Sequence, residues 1–168
     1  NRAIQDRYGC RIFAHDLALE YIADPGTIPL KPYQHAVWGR PDSSKAEPIG
    51  GSIKIDGCEF QVISGAGHCD DHICLYEPRK KWLFSGDMFC GIRNIYLRKD
   101  ENFSKQLESL RRLARLDVEV IFCAMKGVIP GRKNAFTEKV AFMEKLREEA
   151  VQMNRQGKSS NEIAPALL

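Results

Sequence analysis

Hydrophobic and polar residues alternate through the middle of the chain and change to helical spacing in its last third. The apolar segments SIKI and EFQVI flank Asp56-Gly57, which is a strong hairpin signal, and HICLY and KWLFS flank a second turn, EPRK. Between residues 103 and 116, apolar side chains recur every three or four positions, and a longer stripe of this kind runs from Phe136 to Ala150. This pattern predicts two β-hairpins followed by two amphipathic helices.

The remaining segments predict shorter elements. NRAIQDRYG predicts a helix that ends at Gly9, RIFAH a short strand, and DLALEYI a brief helix capped by Asp16. Residues 24–48 are rich in Pro, Gly and Ser, and they predict a long loop without regular structure. VEVIFCAM predicts a buried strand, the long helix is expected to end near Gly157, and SSNEIAPALL predicts the start of a last helix. Strands with flanking helices indicate a mixed α/β (α+β) domain.

Composition and charge exclude few functions. The chain has 168 residues, 43% of them hydrophobic, and a formal net charge of +3, which by itself does not indicate nucleic-acid or membrane binding. No apolar run approaches the roughly 20 residues that a membrane-spanning helix needs. The six cysteines form no CxxC pair, which favours reduced thiols and a cytoplasmic location.

Two loop residues are candidates for chemistry. His68 follows a predicted strand and the small-residue turn Ser64-Gly65-Ala66-Gly67, and Asp87 follows the next hairpin and Gly86. Neutral imidazole and carboxylate are good ligands for zinc, iron or manganese. The residues alone leave a second interpretation open, in which the histidine is a hydrogen-bonded turn residue and the aspartate is a cap.

The segment ISGAGHCDDHICLYEPRKKWLFSGDMFCG resembles the middle motifs of the metallo-β-lactamase superfamily. The resemblance implies an αββα sandwich in which His68 ligates the first metal ion and Asp87 bridges two ions of zinc, iron or manganese. A metal-bound hydroxide would then attack an ester, thioester, amide or phosphodiester. It also implies that His72 lies beside the metal without binding it. Asp70 and Asp71 are expected next to this site, where they either cap the local turn or orient His68 through a hydrogen bond.

Two departures from the family pattern weaken this implied site. The motif H-x-H-x-D-H is absent, so we expect the sandwich to be incomplete at its N-terminus. Residues 1–157 would then be the C-terminal portion of the domain, and residues 158–168 the start of a truncated helical extension. Lys126 stands where the family has its last histidine ligand, and a protonated lysine has no lone pair for a metal. We hypothesise that Lys126 pairs with Asp87; the alternative is an ordinary solvated loop lysine. We further expect the chain as shown to bind no metal tightly and to be inactive.

Three functions compete. The first is a metal-dependent hydrolase of a small-molecule substrate, with Tyr33, His35 and Trp38 of the long loop as a substrate wall; the alternative for these aromatic residues is packing on the sheet. The second is a non-catalytic relative that serves as a scaffold or binding module, which Lys126 favours. The third is a nucleic-acid-processing hydrolase, which interspersed acidic residues disfavour. Its basic surface would comprise Arg98, Lys99, Arg111, Arg112, Arg115, Arg132 and Lys133.

Overall fold

The computed structural model describes residues 1–93, 98, 101–131 and 133–167, except for the side chain of Trp38. The chain forms two compact units, Asn1–Ile53 and Lys54–Leu168. No helix in the described ranges combines the length and the apolar character needed to cross a membrane.

The first unit consists of short elements. Helix α1 (Arg2–Tyr8) ends where Gly9 takes a left-handed φ of 61°, as the sequence predicts. Strands β1 (Phe13–Ala14) and β2 (Glu47–Pro48) pair in parallel. Between them lie a 3-10 helix (Asp16–Ala18), helix α2 (Leu19–Ala23), a second 3-10 helix (Pro25–Thr27) and helix α3 (Pro32–Trp38).

Two predictions for this unit are wrong. Residues 24–48 are not a structureless loop, because Asp24 accepts the N–H of Gly26 to start one helical turn and Pro32 occupies the first turn of α3, where its missing N–H does no harm. Asp16 caps no helix: it is the first residue of the 3-10 helix, which His15 caps by accepting the N–H of Leu17, and α2 follows without a side-chain cap.

A six-stranded sheet lies in the second unit, apart from the first two residues of its edge strand. Its strands follow the chain in order, β3 to β8, so every neighbour in sequence is a neighbour in space. They are β3 (Ser52–Ile55), β4 (Cys58–Ser64), β5 (Ile73–Glu77), β6 (Trp82–Gly86), β7 (Val120–Cys123) and β8 (Gly127–Pro130).

The predicted hairpins are present. Asp56 and Gly57 both have positive φ, 46° and 74°, which matches the right-handed twist of the strands they join. Strands β6 and β7 pair in parallel, whereas β4–β5, β5–β6 and β7–β8 pair antiparallel. Strand β8 is an element that the sequence pattern did not predict.

Three helices complete the second unit: α4 (Phe103–Leu113), α5 (Ala135–Arg155) and α6 (Ser160–Leu167). Asn102 caps α4 by accepting the N–H of Lys105, and the helix ends three residues before the predicted limit. Helix α5 ends at Arg155, close to the predicted Gly157, and the predicted last helix corresponds to α6.

The core lies between one face of the sheet and helices α4 and α5. Leu83 of β6, Ile121 of β7, Leu110 of α4 and Met143 of α5 are all fully buried. Burying each such side chain contributes about 1.5–3 kcal/mol, so this interface fixes the position of α4 and α5 on the sheet. The candidate site lies where the ends of strands meet the start of α4.

Candidate metal centre

The His68 turn owes its shape to glycine. Strand β4 ends at Ser64, and Gly67 has a φ of 129°, a conformation that side chains rarely adopt. A β-carbon on Gly67 would lie 2.3 Å from the backbone N of Gln106, so only glycine lets the turn approach α4 this closely. Asn102 N donates to the Gly67 carbonyl at 2.8 Å. His68 is therefore presented at the N-terminal end of α4.

The Asp87 turn depends on glycine in a similar way. Gly86 has a φ of 51°, and a β-carbon there would lie 2.7 Å from His72 Nε2. The backbone N–H of Asp87 donates to the same Nε2 at 3.2 Å. The His72 ring thus links the end of β6 to the loop between β4 and β5.

The structure brings His68 and Asp87 together. His68 Nε2 lies 3.6 Å from Asp87 Oδ2, and the side chains are 20% and 43% exposed, so the pair is open to solvent. The other ring nitrogen, Nδ1, lies 3.0 Å from Glu101 Oε1, a carboxylate that is only 8% exposed. His68 therefore sits between an exposed carboxylate and a buried one.

The His72 ring lies beside His68 and contacts the backbone of Asp87. Its Nε2 lone pair is used by the Asp87 N–H, and its Nδ1 is buried without a hydrogen-bond partner among the described residues. Burial lowers the pKa of His72, and the neighbouring His68 lowers it further. Its ring meets that of His68 edge to face, with centroids 5.9 Å apart. The supporting role that we expected for His72 stays a prediction.

The acidic pair after His68 contacts other groups. Asp70 accepts a hydrogen bond from Lys105 Nζ at 2.7 Å. Asp71 interacts with the Cys69 thiol, and burial together with this carboxylate raises the pKa of Cys69 to about 12. Both aspartates therefore interact with neighbouring polar side chains.

Lys126 does not make the contact that we hypothesised. Within the described ranges, the ion pair of Asp87 is with His68 and none is formed with Lys126. The Lys126 side chain is exposed, and its Nζ lies 3.1 Å from the position that a β-carbon on Gly91 would occupy. The end of this side chain therefore lies beside Gly91.

The proposed substrate wall is only partly described. Tyr33 is 60% exposed on α3 and His35 is half-buried on the same helix, in the first unit. The side chain of Trp38 lies outside the described residues. The wall therefore stays a prediction.

The basic side chains proposed for nucleic acid are largely paired with acids. Arg111 pairs with Glu144 and Arg112 with Glu108. Lys133 lies 3.7 Å from Glu119. Lys99 and Arg132 lie outside the described residues. These ion pairs agree with the solvated-face interpretation of the helical arginines.

Sequence reasoning missed two charged residues beside the site, Glu101 and Lys139. Glu101 precedes the α4 cap and is separated from His68 by more than thirty positions, so spacing gave no link. Lys139 is fully buried, donates to the Gly91 carbonyl at 2.9 Å, and has its pKa lowered to about 8 by burial. Its place between Phe136 and Met143, on the apolar stripe of α5, was a usable signal for burial.

The His68–Asp87 pair fits part of a metal site. Two ligand atoms that each lie about 2.1 Å from one tetrahedral ion are about 3.4 Å apart, close to the observed 3.6 Å. The Glu101 contact adds the carboxylate–histidine pairing that commonly supports metal-binding histidines. The described residues include no group of three or more His, Cys, Asp or Glu side chains that could hold an ion. They supply two ligands, and a zinc site needs at least one more protein ligand.

Comparison with known proteins identifies the family of this chain. Residues 1–125 match the metallo-beta-lactamase superfamily. The chain belongs to this superfamily. The chain is 30% identical over 90 residues to hydroxyacylglutathione hydrolase of Legionella pneumophila (strain Corby), and 34% identical over 87 residues to the enzyme of the same name in Hydrogenovibrio crunogenus. These matches span 52% and 51% of this chain but only 35% and 28% of the relatives.

Solved structures show the same fold. A beta-lactamase domain protein from Burkholderia ambifaria aligns with a TM-score of 0.69 at 21% identity, covering 97% of this chain and 56% of that one. TTHA1623, solved in a di-iron-bound form, aligns with a TM-score of 0.60 at 22% identity, covering 79% and 66%. These alignments confirm the α/β sandwich class that the sequence predicted for this metallo-beta-lactamase superfamily chain.

Proposed function

We propose that this chain contributes to a metal-dependent hydrolase that cleaves thioesters. The observation that carries the proposal is the pairing of His68 Nε2 with Asp87 Oδ2 at 3.6 Å, in the loops that follow β4 and β6 and open to solvent. Two such ligand atoms suit one zinc, iron or manganese ion. A bound ion would supply Lewis-acid activation of water toward a carbonyl.

The residues of this chain would orient and shape that centre. His68 and Asp87 would hold the ion, and the His72 ring would fix the Asp87 backbone through its hydrogen bond. The thioester class is favoured by the hydroxyacylglutathione hydrolases that match about half of the chain. Further ligands are required, and the described residues do not provide them.

The test is hydrolysis of a hydroxyacylglutathione by the protein as its gene encodes it, after loading with zinc or iron. We expect His68→Gln and Asp87→Asn each to lower kcat/KM at least 100-fold, because each variant removes a ligand. Glu108→Gln is the matched control, since Glu108 contacts an exposed arginine on α4. Hydrolysis that is unaffected by His68→Gln would contradict the proposal.

A non-catalytic role is the second candidate, and Lys126 favours it. Lys126 replaces a ligand that the family resemblance would require, and its ammonium cannot bind a metal. Elemental analysis after dialysis separates the two candidates. One or more metal ions retained per chain supports the hydrolase, whereas none retained, together with no hydrolysis, supports a binding module.

A further inference from the structure

Glu101 is the carboxylate that contacts the inner side of His68. Its Oε1 lies 3.0 Å from His68 Nδ1, and the Glu101 side chain is 8% exposed. An ionised carboxylate only accepts hydrogen bonds, so this geometry suits the tautomer of His68 that carries its proton on Nδ1. The Nε2 atom then points toward Asp87, 3.6 Å away.

The position of Glu101 is fixed by the contact between α4 and the His68 turn. Asn102, the next residue, donates its backbone N–H to the Gly67 carbonyl at 2.8 Å and caps α4 with its side chain. Further along the helix, Ser109 Oγ donates to the Ala66 carbonyl at 2.7 Å. Hydrogen bonds from Asn102, next to Glu101, and from Ser109, in the second half of α4, therefore hold this helix against residues 66–67. This attachment leaves Glu101 little freedom to move away from the ring.

Positive groups flank the buried carboxylate. Arg98 Nε lies 3.9 Å from Glu101 Oε1, and the ammonium of Lys139 interacts electrostatically with the same carboxylate. A buried acid without nearby positive charge or donors would be costly. The surroundings therefore suit a carboxylate at this place, which a purely space-filling role would not require.

We propose that Glu101 is a positioning residue that holds the His68 ring by accepting its Nδ1–H and directs Nε2 toward Asp87. The role of this contact rests on the proposed metal-dependent function, whereas the contact itself is observed between described residues. Partners of this kind fix the tautomer and ring orientation of metal-binding histidines, and their loss commonly lowers metal affinity or activity 10–100-fold.

The test uses nuclear magnetic resonance on protein labelled with 15N at histidine, without added metal. We expect a protected Nδ1–H signal from His68 in the wild type, assigned by its loss in His68→Gln. Glu101→Ala should abolish that signal, whereas Glu101→Gln should retain it, because the amide oxygen can still accept the bond. Glu108→Ala, on the exposed side of α4, should leave it unchanged.

Melting temperature and the backbone amide spectrum show whether each variant is folded. A His68 Nδ1–H signal that persists in folded Glu101→Ala, or that is missing from the wild type, overturns the proposal. In the metal-loaded protein, Glu101→Ala should lower kcat/KM 10–100-fold and Glu101→Gln should restore part of the loss. If the wild type proves inactive, the proposed hydrolase function fails while the resonance test of Glu101 still gives its answer.

Discussion

Replacing Gly67 by alanine should disrupt the junction between the His68 turn and α4. The added β-carbon would lie 2.3 Å from Gln106 N and 2.4 Å from Gln106 Cα. Both are backbone atoms, so no side-chain rotation can relieve the overlap. The helix and the turn must separate by about 1 Å to reach ordinary van der Waals distance.

The loss of stability has three sources. Alanine at a φ of 129° is strained by about 1–3 kcal/mol. Separation of the turn from α4 lengthens the 2.8 Å bond from Asn102 N to the Gly67 carbonyl, whose net worth is about 1 kcal/mol. Lost packing around Gln106 adds roughly another 1 kcal/mol. We therefore expect Gly67→Ala to lower the free energy of unfolding by about 3–5 kcal/mol.

Urea unfolding measures this loss, and Gly57→Ala is the matched control. Gly57 also has a positive φ, 74°, but no atom lies within 4 Å of the position its β-carbon would take. The control should lose only the backbone term of about 1–2 kcal/mol. Equal losses in the two variants would refute the reasoning, because the close approach to α4 would then contribute nothing.

Three further outcomes follow from burial and charge. Burial lowers the pKa of Lys139 to about 8 from an ordinary 10.5, so between these pH values the unfolded chain binds a proton that the folded chain has released. The free energy of unfolding of the wild type should therefore rise with pH in this range relative to that of Lys139→Met, by roughly 3 kcal/mol at most. Urea titrations in which both proteins show the same dependence on pH would contradict this. Leu110→Ala, in the core, should lose about 2–5 kcal/mol in urea, whereas Met125→Ala, 74% exposed, should lose under about 0.5; equal losses would argue against the core assignment. Lys126→Met should leave the melting temperature unchanged, since no ion pair with Asp87 would be broken; a clear decrease would revive the hypothesised pairing.

Sequence patterns predicted the parts of the fold that are set locally. The Asp56-Gly57 turn and the stripe from Phe136 to Met143 each carry their signal within a few residues, and both elements are present. Helix α3 was missed because the prolines and glycines around it in residues 24–48 suggested a loop, although Pro32 stands at a position where a helix tolerates it. Strand β8 was missed because its few residues carry no period of their own, and pairing with β7 defines it.

The candidate site was predictable only in its motif residues. His68 and Asp87 follow glycine-containing turns after strands, so their approach could be inferred from motif order. The third member, Glu101, was not predictable, since it reaches His68 through the docking of α4 on the turn rather than through spacing. The pairing predicted for Lys126 was wrong, because the place of a residue in a sequence motif does not determine the direction in which an exposed side chain extends.

The parallel pairing of β6 with β7 has a consequence for how the molecule folds. Strands β4, β5 and β6 join through short turns, so they can pair early, whereas Trp82 meets Val120 only after the long segment carrying α4 has been placed. His68 lies in the loop between β4 and β5, whereas Asp87 and Glu101 lie on the long segment between β6 and β7. Changes in the hairpins should therefore slow folding, whereas changes in the long segment should mainly speed unfolding. The contacts of His68 with Asp87 and Glu101 would then form last during folding and break first during unfolding.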